Sequence, residues 1–92
     1  MNKYESILIL NDKISEDNRN KALERVEKFI KENGKIEEIN DMGLRRLAYK
    51  IQKCEYGYYF QIYFSAESSM IAELERIYRI TDEIMKFITV KR

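Results

Sequence analysis

The stretch KYESILILN, residues 3–11, is apolar on both parities of an extended chain. Tyr4, Leu8 and Leu10 take the even positions, and Ile7 and Ile9 take odd ones. Successive side chains of a strand point to opposite faces, so a segment of this kind needs cover on both sides. It belongs at the centre of a sheet, and Asn11-Asp12 closes it with a turn signal. In a chain of 92 residues, which predicts one domain over 1–92 with one modest core, the supply of cover is limited.

Two segments carry a helical spacing. SEDNRNKALERVEKFIKENG (15–34) aligns Ala22, Leu23, Val26, Phe29 and Ile30 on one stripe. Ser15 is its candidate N-cap, Glu16 and Asp17 suit the first-turn dipole, and Gly34 suits the residue just past the end. SSMIAELERIYRI (68–80) faces Met70, Ile71, Leu74, Ile77 and Tyr78 inward, with Ser68 or Ser69 as cap. The other segments read as strands. KIEEINDMGLRRLAYKIQK (35–53) changes apolar phase after Ile36 and again after Met42, which predicts a bulge near Met42-Gly43. KCEY (53–56) is read as the turn into YGYYFQIYF (56–64), with Tyr58, Phe60, Ile62 and Phe64 on one face and Tyr59, Gln61 and Tyr63 on the other. EIMKFITVKR (83–92) is the last strand.

The order β-α-β-β-α-β predicts an α+β, ferredoxin-like split βαβ fold: a four-stranded antiparallel sheet with two helices on one face. The helices then leave the second face of the sheet open. Ile7, Ile9, Tyr59 and Tyr63 fall on that face, and an exposed apolar, aromatic surface marks them as candidates to meet a protein partner.

Several kinds of chemistry lack their residues. The chain has no histidine, which removes imidazole acid–base catalysis and the usual metal sites. Cys54 is the single cysteine, cannot form an internal disulfide and fits a reducing cytosol. Glu37-Glu38 and Asp82-Glu83 are adjacent pairs, which a strand sends to opposite faces, so neither makes an acid–base couple. The glycines at 34, 43 and 57 are isolated and form no phosphate loop. Acylphosphatase-like enzymes share the topology but need an arginine-bearing, glycine-rich loop after the first strand, where this chain has NDKISED (11–17). The apolar run Ile7–Leu10 is too short to span a bilayer or to form a signal-peptide core. The expectation is a cytoplasmic protein that is no enzyme, with no catalytic or metal residues, cofactor, small-molecule substrate or membrane anchor.

Charge points elsewhere. The formal total is +1, yet residues 1–41 hold eight Lys/Arg against ten Asp/Glu and residues 42–92 hold nine against six. Arg45, Arg46, Lys50 and Lys53 follow the expected bulge, while Arg76, Arg79, Lys86, Lys91 and Arg92 lie in the last third. Edge-strand lysines can simply block aggregation, and paired arginines beside a bend suit phosphate recognition by forked donors. On local chemistry alone both readings of Arg45-Arg46 stand. A second candidate is the stretch YGYYFQIY (56–63), which keeps the glycine and three aromatics of the RNP1 pattern but lacks its basic, small and valine positions. The alternative it suggests is an RNA-recognition-motif-like module that stacks single-stranded RNA on Tyr58, Phe60 and their neighbours.

GLRRLAYKI at 43–51 resembles the signature of the bacterial small-subunit ribosomal protein six family. The opening KYES, the glycine-aromatic run Gly57-Tyr58-Tyr59 and YRITDEIMKFITVKR, with Arg79, Asp82, Ile84 and Lys86, agree with the family in order and spacing. The resemblance covers essentially the whole chain. It implies a structural protein of the small ribosomal subunit, cytoplasmic and ribosome-associated, that binds the central domain of the small-subunit ribosomal RNA together with ribosomal protein eighteen. It also implies RNA contacts at Arg45 and Arg46, with Arg79, Lys86, Lys91, Lys3 and Tyr4 as further candidates. Leu47, Tyr49 and Ile51 would be packing residues. One departure is Lys50, which stands where many members have proline.

Overall fold

The doubly apolar first segment does sit at the centre. In the computed structural model, which describes residues 1–92, β1 (Asn2–Asn11) is hydrogen-bonded on both sides. Helix α1 (Glu16–Asn33) follows, then β2 (Gly34–Ile51), β3 (Cys54–Ala66), a single 3-10 turn (Ser68–Met70), α2 (Ile71–Ile80) and β4 (Ile84–Lys91). The strand order is β2-β3-β1-β4, with every neighbouring pair antiparallel. This is the split βαβ arrangement expected from the sequence, with β2 and β4 at the edges.

Register explains which residues reach the core. Leu8 lies between Phe60 of β3 and Phe87 of β4, so the even positions of β1 and β3 share one face. Tyr4, Leu8 and Leu10 there meet Phe60, Ile62 and Phe64, and the helices close the layer with Ala22, Val26, Ile30, Leu74 and Tyr78. Leu8, Leu10, Val26, Ile62, Phe64 and Tyr78 have no exposed surface, and burying each such side chain contributes roughly 1.5–3 kcal/mol. Ser15 caps α1 as its position predicts, its Oγ accepting from the Asn18 N–H at 3.1 Å.

One polar chain crosses this core. The Tyr78 hydroxyl donates to Ser6 Oγ at 3.0 Å, and Ser6 Oγ lies 2.7 Å from Thr89 Oγ1. The chain ties α2 to β1 and β4 through fully buried Ser6. Burial drives the Tyr78 phenol well above its ordinary value; the Ser6 hydrogen bond opposes this and the Glu75 carboxylate adds to it.

Three local expectations change. Gly34 is not a left-handed helix cap: with φ −172° it is the extended first residue of β2, paired with Ala66. A Cβ there would run into the carbonyl oxygen of Ser65, so close approach of backbone to backbone is what requires glycine. Ser68 and Ser69 do not cap α2; they form the 3-10 turn, and no side chain caps the helix that follows from Met70. The hairpin between β2 and β3 turns at Gln52-Lys53 rather than KCEY, with Ile51 paired to Cys54. Both turn residues have positive φ, 50° and 66°, the twist a two-residue hairpin needs, without the glycine or asparagine that usually marks it.

No helix is long and apolar enough to cross a membrane.

Candidate nucleic-acid interface

The hairpin outruns the rest of the sheet. The last row shared by three strands is Asn11, Gly57 and Arg45, and β2 and β3 continue beyond it to the turn at Gln52-Lys53. Just before this free-standing part, β2 carries the expected bulge. Asp41 pairs with Phe60 and Gly43 with Tyr59, leaving Met42 with no opposite residue. Gly43 adopts φ 77°, and a Cβ there would meet nothing within 4 Å, so conformation rather than space selects the glycine. The Asp41 carboxylate accepts the Gly43 N–H at 2.9 Å.

Beyond the bulge the two arginines diverge. Arg45 pairs with Gly57 on the open side of the sheet, and Arg46 pairs with Tyr56 on the helix side. Arg45 Nε donates to the Met42 carbonyl at 3.1 Å. Neither arginine has an acid within salt-bridge distance, whereas Arg76 is held by Glu73 at 2.6 Å and Lys3 by Glu37 at 3.5 Å. The Arg76–Glu73 pair lowers the carboxyl pKa chiefly through its hydrogen bond and raises that of the guanidinium.

Leu47, Tyr49 and Ile51 do not seat the strand on the main core as their shared phase suggests. Leu47 is only 7% exposed but packs on the open face, and Tyr49 is 70% exposed. Leu47 follows Arg45 by two residues and so shares its open face, and β2 has no paired partner on β3 between Arg46 and Ile51, the third irregularity of the strand. Leu47, Ala48, Tyr49 and Ile51 line a cleft of about 100 Å³ with Ile9, Tyr59 and Lys86.

The seven RNA-contact candidates therefore do not form one patch. Arg45, Arg46 and Lys86 lie at the hairpin end, as does Arg79 in the last turn of α2, where its charge also complements the helix dipole. Lys3 and Lys91 flank the start of β1, roughly 25 Å away along the strand. Tyr4 is removed from the set: it is 6% exposed and stacks on Phe64 with ring centroids 5.6 Å apart, because its even position points under the helices.

The open face is less apolar than its sequence suggests. Ile7 and Tyr59 are half-buried there, while Ile9 is 8% exposed beneath the cleft. Tyr63 lies under the Arg92 guanidinium, 4.4 Å from ring centroid to Cζ. Polar groups cross the middle: Gln61 Nε2 donates to Glu5 at 2.6 Å, and Asn40 Nδ2 donates to Gln61 at 3.1 Å and Glu38 at 3.3 Å. Sequence reasoning missed Ile88 and Val90, about half exposed beside Ile7; the alternation Lys86, Ile88, Val90 was the available signal. The stacking alternative loses its platform, since Phe60 is in the core and Tyr58 faces the helix side, capped by Arg19 at 3.9 Å.

A sequence model described as ribosomal protein S6 matches residues 3–91, nearly the whole chain. The chain belongs to the ribosomal protein S6 family. Small ribosomal subunit protein bS6 of Campylobacter jejuni is 48% identical over 92 residues, covering 99% of this chain and 74% of that protein. The Helicobacter pylori bS6 is 45% identical, over 99% of this chain and 65% of its own length. The crystal structure of 30S ribosomal protein S6 from Thermotoga maritima superposes with a TM-score of 0.94 at 40% identity, covering 99% of this chain and 87% of that one. Membership makes the protein a structural constituent of the small ribosomal subunit, ribosome-associated in the cytoplasm. The stretch GLRRLAYKI is the outer half of β2, from the bulge glycine to the hairpin turn.

Proposed function

We propose that residues 1–92 act as one RNA-binding unit that holds the central domain of the small-subunit ribosomal RNA together with ribosomal protein eighteen, as a scaffold rather than a catalyst. The observation that carries this is the bulged hairpin: Arg45 stands in the last three-stranded row and Arg46 just beyond it, neither with an acid partner. Guanidinium groups without an acid partner, carried on a two-stranded ribbon, suit phosphate oxygens, which position a protein on RNA without reading its sequence. Lys86 adds a cation beside the open-face cleft, and Arg79 one on the helix layer. The near-neutral total of +1 fits a surface completed by a second protein. That protein would meet the open face around Ile7, Tyr59, Ile88 and Val90.

The test is binding of small-subunit ribosomal RNA by the chain with ribosomal protein eighteen, over a salt series. The double variant Arg45→Ala, Arg46→Ala should bind more weakly, and each lost phosphate contact should flatten the log–log salt slope by roughly 0.7–0.9. Its urea midpoint should stay within about 0.5 kcal/mol of the parent, because both side chains are exposed. Unchanged affinity and slope would remove these residues from the interface. Purifying the tagged chain from its own cells and identifying the retained RNA and protein tests the partner assignment.

A further inference from the structure

Arg45 is held before any ligand arrives. The Asp41 carboxylate accepts the Gly43 N–H at 2.9 Å and closes a short loop around Met42, which has no opposite residue on β3. Gly43 supplies the left-handed conformation, φ 77°, that this loop needs. Two residues on, Arg45 Nε donates to the Met42 carbonyl at 3.1 Å. With Nε engaged, Nη1 and Nη2 have no partner within the protein, hydrogen-bonded or ionic. Those two amino groups are the forked donors that recognise a phosphate.

We propose that Asp41 is a positioning residue: by fixing the Met42-Gly43 bulge it presets the Arg45 guanidinium for an RNA phosphate. This rests on the reading of Arg45 as an RNA contact. The advantage is entropic. A long side chain that must be immobilised on binding costs affinity, and one already tied at Nε costs less.

The sign of the effect separates this role from plain charge. Asp41 is a carboxylate on the same strand as the arginines and repels phosphate, so on charge alone its removal should tighten RNA binding. Positioning predicts the reverse for Asp41→Ala, which loses the acceptor for the Gly43 N–H. It predicts no such loss for Asp41→Asn, whose side-chain oxygen still accepts that bond while the charge is gone. The two substitutions remove the same charge and differ in the hydrogen bond.

The experiment measures affinity for small-subunit ribosomal RNA, with ribosomal protein eighteen present, at one fixed salt and over a salt series. Arg45→Ala should weaken binding about tenfold or more, as loss of a charge-assisted hydrogen bond does. Arg45→Lys should keep the salt slope yet lose several-fold in affinity, since lysine has neither an Nε donor to the Met42 carbonyl nor a fork. Asp41→Ala should weaken binding about three- to tenfold, the scale of one mobile side chain. Asp41→Asn should bind at least as tightly as the parent, and Asp41→Ala in the Arg45→Ala background should bring no further weakening. If Arg45→Ala does not weaken binding, the reading of Arg45 as an RNA contact fails. If Arg45→Ala weakens binding but Asp41→Ala does not, or weakens it equally in the Arg45→Ala background, the positioning role alone is overturned. Urea midpoints of all variants guard against unfolding, and Arg45→Lys carries the fork argument independently of the bulge.

Discussion

Replacing Tyr78 by phenylalanine removes one hydroxyl from the buried polar chain while keeping the ring that packs on Phe87, 5.1 Å between centroids. Ser6 would not be orphaned, because Thr89 remains 2.7 Å from its Oγ. The expected cost near pH 7 is therefore that of one ordinary hydrogen bond, about 1 kcal/mol. At alkaline pH the difference should reverse. Burial holds the Tyr78 phenol protonated in the fold, while an unfolded tyrosine loses its proton near pH 10. Above that pH the unfolded chain binds fewer protons than the native one, so stability falls as pH rises. Tyr78's share is fully present below about pH 10 and is lost at about 1.4 kcal/mol per pH unit until the folded group itself ionises. Phenylalanine has no such slope, and the other tyrosines are common to both proteins and cancel in the comparison. A parent that starts about 1 kcal/mol ahead should lose its lead by about pH 10.7 and trail the variant above it. Urea unfolding of both proteins at steps from pH 7 to about pH 11.5 reads this directly. A stability difference that stays constant with pH, or a variant that falls further behind above pH 10, would refute the reasoning.

Other substitutions test the backbone and the core, all read as urea midpoints. Gly34→Ala should cost about 1–3 kcal/mol or more because its methyl meets the Ser65 carbonyl, and Gly34→Asn should be worse. Gly43→Ala should cost about 1 kcal/mol from its positive φ alone, and Gly43→Asn should recover part of that, since asparagine tolerates the left-handed region. Ser15→Ala should cost about 1 kcal/mol by orphaning the Asn18 N–H, with Ser15→Asp close to the parent. Leu8→Ala, at a site with no exposed surface between three elements, should cost about 3–5 kcal/mol.

Element order and the helix-facing set were readable because they depend on spacing alone. Phe60, Ile62 and Phe64 alternate along β3, and burial follows that alternation. The bulge was readable too, since one extra residue in a strand shifts the apolar phase, and the glycine beside the shift marks where the backbone bends. What the sequence hid were long-range approaches and irregular pairing. Gly34 looked like a helix cap because nothing local reports that β3 passes against it. Gln52-Lys53 hid the turn because neither residue favours positive φ. Tyr4 entered as an RNA candidate through the family resemblance alone, while its even position beside Leu8 and Leu10 already grouped it with the helix-facing set, where its register with Phe64 puts it. The open face looked apolar because Ile7, Ile9, Tyr59 and Tyr63 stand out, while Glu5, Gln61, Asn40 and Glu38 form their chain only once three strands are in register.

The pairing of β1 with β4 joins residues 2–11 to residues 84–91, and the Arg92 N–H extends it to the Lys3 carbonyl at 2.8 Å. During synthesis β1 emerges well before its second neighbour β4, with two helices and two strands between them. Until Ile84 to Lys91 emerge, β1 has one bare edge of backbone donors and acceptors beside Leu8 and Leu10. A bare apolar edge is a template for strands of other chains, and non-local pairing is slow to form. A chain stalled short of Ile84 should therefore aggregate rather than wait half-folded. Strand β4 is thus the cover that turns β1 from an edge into the middle of the sheet.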